Sequence, residues 1–238
     1  MNNKLWIIGC GDIGRRVAKR YLNQTSNIHA LVSSQVSKER CDALGINSII
    51  LDLDNKNVLV NLGNQIQGSQ LFYFVPPPRY GIEDTRLQNF LTSLSTQPRR
   101  IVLISTTGVY GDSNGEWVDE NHPIKPQAER AQRRLSAEQT LQEWAQTYQR
   151  EIIILRVPGI YAKDRLPLTR LKKRLPVVNQ EEAGWTNRIH ADDLAMVCKA
   201  AMESNSSGEI YNVTDGHPST MTEYFNQVAD YANLPRPP

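Results

Sequence analysis

Three glycines near the start of the chain have the spacing of a phosphate-binding turn. They lie in the run Gly9-Cys10-Gly11-Asp12-Ile13-Gly14. A short apolar run, residues 5–8, precedes them, and an amphipathic segment, residues 13–22, follows. A glycine turn between a strand and a helix presents free N–H groups and the positive end of the helix dipole to an anion. The spacing therefore predicts a cradle for the pyrophosphate of a nucleotide.

Each glycine of this turn has its own predicted role. Gly9 permits the tight turn, Gly11 removes a side chain where the pyrophosphate approaches, and Gly14 lets the helix pack on the strand. Asp12 and Ile13 complete the predicted contact surface. The arrangement favours NAD(P), and the alternatives are S-adenosylmethionine or a turn without a ligand. Cys10 is interpreted as a small spacer between two glycines.

The residues after the second predicted strand bear on the choice of dinucleotide. Proteins that prefer NAD usually carry an acid there, on the ribose hydroxyls. Here the place reads Val32-Ser33-Ser34-Gln35, without an acid. Ser33 and Ser34 can bond either a hydroxyl or a phosphate. Lys38 or Arg40 would neutralise a 2′-phosphate, unless both belong to a solvated helix face. The sequence therefore favours NADP over NAD.

The elements that must position this turn alternate along the chain. Apolar runs at 5–8, 28–32, 48–53, 71–75, 100–105, 151–157 and 209–213 predict strands. Amphipathic segments at 13–22, 36–44, 85–94, 127–148, 192–202 and 220–231 predict helices. This alternation predicts an α/β fold of the doubly wound Rossmann type, with a mostly parallel sheet. Asp52 and Leu53, ending the third strand, are expected to touch an adenine ring, the alternative being a loop Asp with local backbone bonds.

Composition excludes several classes of partner. The formal net charge is only +2 over 238 residues, which gives no case for nucleic acid or an anionic membrane. The N-terminal apolar run is too short for a secretory leader or a membrane span. The three cysteines are scattered and show no metal-binding spacing, so we expect no metal and a cytoplasmic location.

Three downstream segments, taken with the glycine turn, resemble one family. They read Ile-Ser-Thr-Thr-Gly-Val-Tyr-Gly at 104–111, Leu-Arg-Val-Pro-Gly-Ile-Tyr at 155–161 and Asn-Arg-Ile-His-Ala-Asp-Asp-Leu-Ala at 187–195. Their order and spacing resemble the extended and atypical short-chain dehydrogenase/reductases, the epimerase/dehydratase group. The likeness extends from the first strand to Tyr211-Asn212-Val213. It implies an NAD(P)-binding domain with a small C-terminal lobe over the substrate.

The resemblance also implies a division of the chain and roles for particular residues. Residues 1–161 would form the NAD(P)-binding domain, completed by about 186–204, and residues 162–185 and 205–238 would form the lobe. Thr106 would bond the reacting oxygen. Pro158, Gly159 and Ile160 would lie beside the nicotinamide, and the run Val75-Pro76-Pro77 would line the path of the cofactor.

The chain departs from the family at the catalytic pair. The family carries Tyr-x-x-x-Lys on its long helix, and Arg130 and Arg134 stand at those two places here. Arg134 could still hold a cofactor ribose or phosphate, whereas Arg130 cannot transfer a proton because a guanidinium stays protonated. The alternative is a charged helix face, with Glu138 pairing to Arg134. The substitute proton donors left open are Tyr161, Tyr110, Tyr80 and His190.

Two functions follow from these expectations. The first is an NAD(P)-dependent oxidoreductase or epimerase-like enzyme that acts on a hydroxyl or carbonyl carbon of a small substrate. The second is a catalytically degenerate module that senses NADP(H). Either would be a monomer or a homodimer, and the sequence does not name the substrate.

Overall fold

Eleven strands occur in the residues that the structure describes. A computed structural model of the chain describes residues 4–24, 27–55 and 65–238. In chain order the strands are β1 Leu5–Ile8, β2 Ile28–Val32, β3 Asn47–Ile50, β4 Gln70–Tyr73, β5 Arg100–Thr106, β6 Glu151–Val157, β7 Gly159–Tyr161, β8 Trp185–Thr186, β9 Arg188–His190, β10 Glu209–Asn212 and β11 Ser219–Thr220.

Seven of these strands form one parallel sheet, in the order β3-β2-β1-β4-β5-β6-β10. The order reverses beside β1, which pairs with β2 on one side and with β4 on the other. In such open sheets, ligands bind outside the carboxyl ends of the strands at this switch point. The predicted doubly wound α/β fold is confirmed.

Helices cover both faces of the sheet, because the strands are apolar on both sides. They are α1 Asp12–Tyr21, α2 Gln35–Asp42, α3 Thr85–Thr92, α4 Glu129–Tyr148, α5 Leu168–Lys172, α6 Ala191–Glu203 and α7 Met221–Tyr231. Helices α1 and α6 pack together in one apolar core, and α3 and α4 pack together in another on the opposite face. No helix in the described segments is long and apolar enough to cross a bilayer.

The last part of the chain divides between the sheet and a small lobe. β10 lies at the sheet edge beside β6, so residues 209–212 belong to the sheet and not to the predicted lobe of 205–238. The lobe residues of α5 and α7 enclose a separate small core of Leu171, Phe225, Val228 and Ala229. Two short ladders separate from the main sheet pair β7 with β9 and β8 with β11.

Two strands end two or three residues before their predicted ends. β3 ends at Ile50 rather than 53, so Asp52 and Leu53 lie in the turn that follows it. β4 ends at Tyr73, and Val75 lies in the following segment. Apolar residues continue past the ends of both strands, so the length of the apolar run overestimates the length of the strand.

Candidate functional site

The three glycines differ in the space around them. A Cβ on Gly9 would lie 2.7 Å from the Val75 nitrogen, and the φ of Gly9 is +84°. A Cβ on Gly14 would lie 3.1 Å from Ile7 Cγ2. For Gly11 the nearest atom is the Gly9 carbonyl oxygen, 4.0 Å away. Gly9 and Gly14 are therefore required by packing, whereas Gly11 faces open space.

The open space at Gly11 adjoins the start of α1. Gly11 is the N-cap of α1 and provides no side-chain cap, so the first N–H groups of the helix stay free for a ligand. Gly9 lies against the residues that follow β4, which puts the turn at the switch point between β1 and β4. Free N–H groups at a helix N-terminus and the uncrowded Gly11 are a donor set that fits a pyrophosphate.

A cation that the sequence reasoning missed lies beside this turn. Arg15 Nη1 donates to the Cys10 carbonyl oxygen at 3.4 Å. The Cys41 thiol of α2 lies 3.9 Å from the same oxygen. Arg15 is therefore on the side of the turn that faces β2 and α2. Burial raises the pKa of the Cys10 thiol, as expected for a spacer rather than a reactive group.

The end of β2 presents two exposed serines. Ser34 is the N-cap of α2, and its hydroxyl accepts from the Ser37 nitrogen at 3.3 Å. Lys38 turns away from them: its ammonium lies 3.0 Å from Asp42 Oδ2 and 3.2 Å from the Ser48 carbonyl oxygen. Lys38, one of the two cations predicted to neutralise a 2′-phosphate, is thus already paired, whereas the other, Arg40, is exposed on α2.

The segments after β3 and β4 are joined by Arg86. Asp52 Oδ1 accepts from the Asp54 nitrogen at 3.0 Å, a local bond of the kind expected for a loop Asp. Asp54 Oδ2 lies 2.6 Å from Arg86 Nη2, and Arg86 Nη1 donates to the Pro76 carbonyl oxygen at 2.9 Å. Arg86 thereby fixes these two loops relative to each other.

Arg134 lies close to the segment that follows β4 and is largely buried. Arg130 is exposed. Arg134 Nη1 donates to the Val75 carbonyl oxygen at 3.2 Å, and its side chain is 12% exposed. Asp84, which is fully buried, has its Oδ2 3.8 Å from the same nitrogen. Burial lowers the pKa of the Arg134 guanidinium, and the charge of Asp84 opposes this effect. Arg130, one turn earlier, is exposed.

Asp84 is an unusual buried acid. Its Oδ1 accepts from the Leu87 nitrogen at 3.1 Å and caps α3. Its Oδ2 has no hydrogen-bond partner among the described residues, and the buried Tyr73 hydroxyl has none there either. Burial raises the pKa of Asp84, while Arg134 lowers it.

Thr106 ends β5 beside the first turns of α4. Its hydroxyl accepts from the Gly108 nitrogen at 3.2 Å and caps the short 3-10 turn Thr107–Tyr110. A Cβ on Gly108 would lie 3.5 Å from Thr106 Oγ1 and 3.6 Å from Ala131 Cβ. The strand end carrying Thr106 therefore lies near the helix that carries Arg130 and Arg134.

Tyr110 is held in a buried network rather than presented to a pocket. Arg156 Nη1 donates to its hydroxyl at 2.9 Å, and the hydroxyl donates to Asn212 Oδ1 at 2.8 Å. Glu138 accepts from Arg156 and from Ser105 in the same network. Glu138 thus faces the core and does not pair with Arg134.

Tyr161 and His190 occupy the lobe side. They are register partners in β7 and β9, with ring centroids 5.3 Å apart. Both line a pocket of about 730 Å³ that Thr106 and Arg134 do not line. Burial raises the pKa of Tyr161, and Asp215 raises it further. Tyr80 is 84% exposed on the loop after β4.

The segment after β6 lies between the carboxyl edge of the sheet and the lobe. The Gly159 nitrogen donates to the Asn187 carbonyl oxygen at 3.3 Å. Ile160 packs against the core that contains α1 and α6. In the described part of the chain no cluster of His, Cys, Asp and Glu could hold a metal ion.

Fold and glycine turn together define a dinucleotide-binding α/β protein. The family model of the NAD dependent epimerase/dehydratase family matches residues 6–214. The chain therefore belongs to this family, and the predicted family resemblance is confirmed.

Two further proteins are similar to this chain. A Methanocaldococcus jannaschii protein named "Putative UDP-glucose 4-epimerase" is 27% identical over 141 residues, 54% of this chain and 46% of that one. The chain thus matches about half the length of this curated relative. A functionally unknown conserved protein from Silicibacter pomeroyi has a TM-score of 0.81 and 26% identity over 99% of this chain and 80% of its own.

A third comparison concerns the fold alone. UDP-glucose 4-epimerase from Thermus thermophilus, solved in complex with NAD, has a TM-score of 0.79 and 20% identity. The match covers 98% of this chain and 84% of that one. The fold is thus shared with a structure that holds NAD.

Sequence reasoning missed Arg15, Asp84 and the surroundings of Arg188, a residue of β9. Arg15 and Asp84 carried weak signals: Arg15 directly follows the third glycine, and Asp84 precedes a helical pattern as an N-cap candidate. The surroundings of Arg188 had no sequence signal, because its partners come from β11 and α7.

Proposed function

We propose that the protein is an NAD(P)-dependent oxidoreductase or epimerase-like enzyme acting on a hydroxyl or carbonyl carbon of a small substrate. The observation that carries this is the open space at Gly11, at the switch point of the sheet. Two neighbouring glycines have packing reasons for lacking a side chain, but Gly11 has none. A bound pyrophosphate would supply the reason.

The proposed cofactor would extend along the carboxyl edge of the sheet. Gly9, Gly11, Asp12, Ile13 and Gly14 would hold the pyrophosphate. Adenosine would lie toward β2 and β3, on the residues Ser33, Ser34, Asp52 and Leu53. The nicotinamide would lie between the two segments Val75-Pro76-Pro77 and Pro158-Gly159-Ile160. When bound, the cofactor gives or takes the hydride.

The substrate oxygen is assigned to Thr106, whose hydroxyl lies at the end of β5. Arg134, fixed by the Val75 carbonyl, would hold the nicotinamide ribose. Arg130, exposed one turn away, would attract an anionic group of the substrate. Tyr161 stays a candidate proton donor, although it lines a pocket that Thr106 does not line.

NADP is the proposed preference, and Arg15 supports it better than Lys38. Arg15 lies on the α2 side of the glycine turn, where the adenosine ribose would lie. Lys38 is bound by Asp42 and by a backbone carbonyl. A guanidinium is also well suited to a 2′-phosphate, since it can make two parallel bonds.

A catalytically silent NADP(H) sensor is the second candidate. The arginines at the usual Tyr and Lys places favour it, because neither can act as a proton donor at neutral pH. A sensor must bind oxidised and reduced cofactor with different affinity, since equal binding shifts no equilibrium. An enzyme must in addition turn over a carbonyl or hydroxyl substrate.

Two matched glycine variants test the cofactor site. Gly11→Ala has room for its methyl group and an ordinary φ of −77°, so it should fold. It should weaken NADPH binding by about tenfold or more, about 1.4 kcal/mol, because the methyl group meets the pyrophosphate. Gly9→Ala should instead lower the free energy of unfolding, because its Cβ meets Val75.

The measurement is a calorimetric titration with NADPH, NADH and S-adenosylmethionine. Binding of S-adenosylmethionine alone would overturn the proposal, and so would a Gly11→Ala protein that binds NADPH like the wild type. Assays of NADPH turnover with a panel of carbonyl substrates then distinguish the enzyme hypothesis from the sensor hypothesis. Tight cofactor binding with different affinity for NADP and NADPH, and no turnover, would favour the sensor.

A further inference from the structure

Four arginines are buried among the described residues, and one of them differs from the other three. Arg100, Arg133, Arg156 and Arg188 are 2%, 6%, 1% and 8% exposed, respectively. The first three each have a carboxylate within 4.0 Å: Glu151 at 2.7 Å, Glu129 at 3.4 Å and Glu138 at 2.8 Å. In the described ranges no carboxylate lies within that distance of Arg188.

The groups around Arg188 are weak partners for a buried cation. Its Nη1 donates to Ser219 Oγ at 2.8 Å, and its Nη2 lies 3.6 Å from the Met221 thioether sulfur. The guanidinium carbon lies 3.9 Å from the centre of the Tyr224 ring. A thioether is a poor acceptor, and neither it nor a hydroxyl carries a charge. Burial lowers the pKa of the Arg188 guanidinium, and Tyr224 and Asp215 oppose this effect.

Arg188 lines the lobe pocket of about 730 Å³. The volume is in the range of small-molecule sites. Lys163, His190 and His217 line it together with Arg188, and Asp193 and Asp215 supply the opposing charges. Three tyrosines complete much of the wall: Tyr161, Tyr224 and Tyr231. The pocket thus combines a buried cation with aromatic surface.

We propose that this pocket binds a small organic anion, whose phosphate or carboxylate pairs with Arg188 while its body packs on the tyrosines. Burying a charge with no counter-charge in contact is costly, and the more distant Asp215 offsets only part of that cost, so a ligand anion would supply the contact that the chain lacks. The inference deepens the proposed function, since the anionic end of the substrate would lie in this pocket while its reacting oxygen would lie at Thr106. It can nonetheless be tested without turnover.

The Arg156 pair shows what a structural arginine looks like in this fold. Arg156 donates to Glu138, to the Tyr110 hydroxyl and to the Glu120 carbonyl oxygen. Removing it would leave Glu138 unpaired in the core. Removing Arg188 leaves no carboxylate unpaired, and Ser219 and Tyr224 lose only a neighbour. Replacing Arg188 should therefore weaken anion binding without lowering the stability of the fold.

The test uses Arg188→Met in the full chain, with phenyl phosphate as probe and thermal unfolding and calorimetry as measurements. The wild type should bind phenyl phosphate saturably, and the variant should bind it at least about tenfold more weakly. Without ligand the variant should melt at the same temperature as the wild type or higher, because a costly buried charge is gone. Benzoate replaces phenyl phosphate in a second arm, and uncharged benzyl alcohol should not bind.

Two controls fix the interpretation. Arg188→Lys keeps a cation and should retain part of the affinity, while Arg174→Gln removes a cation elsewhere in the lobe and should change nothing. No saturable binding by the wild type, or equal binding by wild type and Arg188→Met, would overturn the inference. A lowered melting temperature in Arg188→Met that Arg188→Lys restores would also overturn it, since the role would be structural. NADPH titration of the same proteins reports separately on the proposed function.

Discussion

Glu138 of α4 and Arg156 of β6 form an ion pair in the interior, with Glu138 Oε2 2.8 Å from Arg156 Nη2. The two side chains are 2% and 1% exposed. Ser105 on β5 donates to the same carboxylate, next in the chain to Thr106. The pair therefore ties the long helix to the two strands whose ends carry the candidate site.

Removing one member of this pair should be strongly destabilising. Glu138→Leu leaves the Arg156 guanidinium in the core without a counter-charge, which should lower the free energy of unfolding by about 3–5 kcal/mol. The double variant Glu138→Leu with Arg156→Met leaves no charge, so it should recover a large part of this loss. Urea denaturation of the single and double variants measures both effects. Additive losses in the double variant would show that the two side chains are not coupled.

The elements of the fold were predictable because their signals are local. Apolar runs gave all seven strands of the main sheet, and the glycine spacing gave the turn between β1 and α1. The sheet edge occupied by β10 was not predictable, since a strand carries no mark of the neighbour with which it pairs. Its assignment to the lobe followed from chain order, and the sheet order corrected it.

Side-chain partners were much less predictable than elements. The i+4 spacing of Arg134 and Glu138 suggests a surface pair, but the two face different surroundings, and Glu138 pairs with a strand residue 18 positions away. The aromatic Tyr148 at the end of α4 is 47% exposed, while the charged Arg133 and Glu138 lie on the buried face of the helix. Helical spacing predicts which residues share a face of a helix. Tertiary packing decides whether that face contacts the core or the solvent.

Cofactor preference should depend on Arg15 and not on Lys38. Arg15→Gln should weaken NADPH binding about tenfold and leave NADH binding unchanged, because only the 2′-phosphate loses a counter-charge. Lys38→Gln is the matched control, since its cation is already bound by Asp42. Fluorescence titration with both cofactors measures the effect. A larger loss in Lys38→Gln than in Arg15→Gln would contradict the assignment.

The ion pairs around Arg16 should make stability depend on acid pH. Arg16 contacts Asp192 at 2.7 Å, Asp12 at 3.0 Å and Asp164 at 3.3 Å, which joins α1 to α6 and to the segment after β7. The hydrogen bond from Arg16 lowers the pKa of Asp192 below its ordinary value of 3.8. A depressed folded-state pKa stabilises the fold above the unfolded-state pKa, and this stabilisation is lost as the pH falls through the folded-state value.

Wild-type protein should therefore lose more stability between about pH 5 and about pH 3 than Arg16→Gln does. Lys19→Gln, an exposed position on the same helix, removes the same charge and should keep the wild-type slope. Thermal unfolding across this pH range gives the three slopes. Equal slopes for wild type and Arg16→Gln would show that the pairs do not persist in solution.

Asp84 should act on cofactor binding through Arg134. Asp84→Asn keeps the cap on the Leu87 nitrogen, because an amide oxygen can replace Oδ1. It removes the negative charge 3.8 Å from the Arg134 guanidinium, which then lacks the carboxylate that helps to hold it beside Val75. If Arg134 holds the ribose, the dissociation constant of NADPH should rise about tenfold.

The stability of this variant separates positioning from a general loss of structure. Burial raises the pKa of Asp84, so its charged form is costly in the fold, and replacing it by Asn should cost little stability at neutral pH. Glu129→Gln, which removes the partner of the neighbouring Arg133, is the matched control and should leave NADPH binding unchanged. Unchanged NADPH affinity in a stably folded Asp84→Asn protein would mean that Arg134 does not need Asp84 to reach the cofactor.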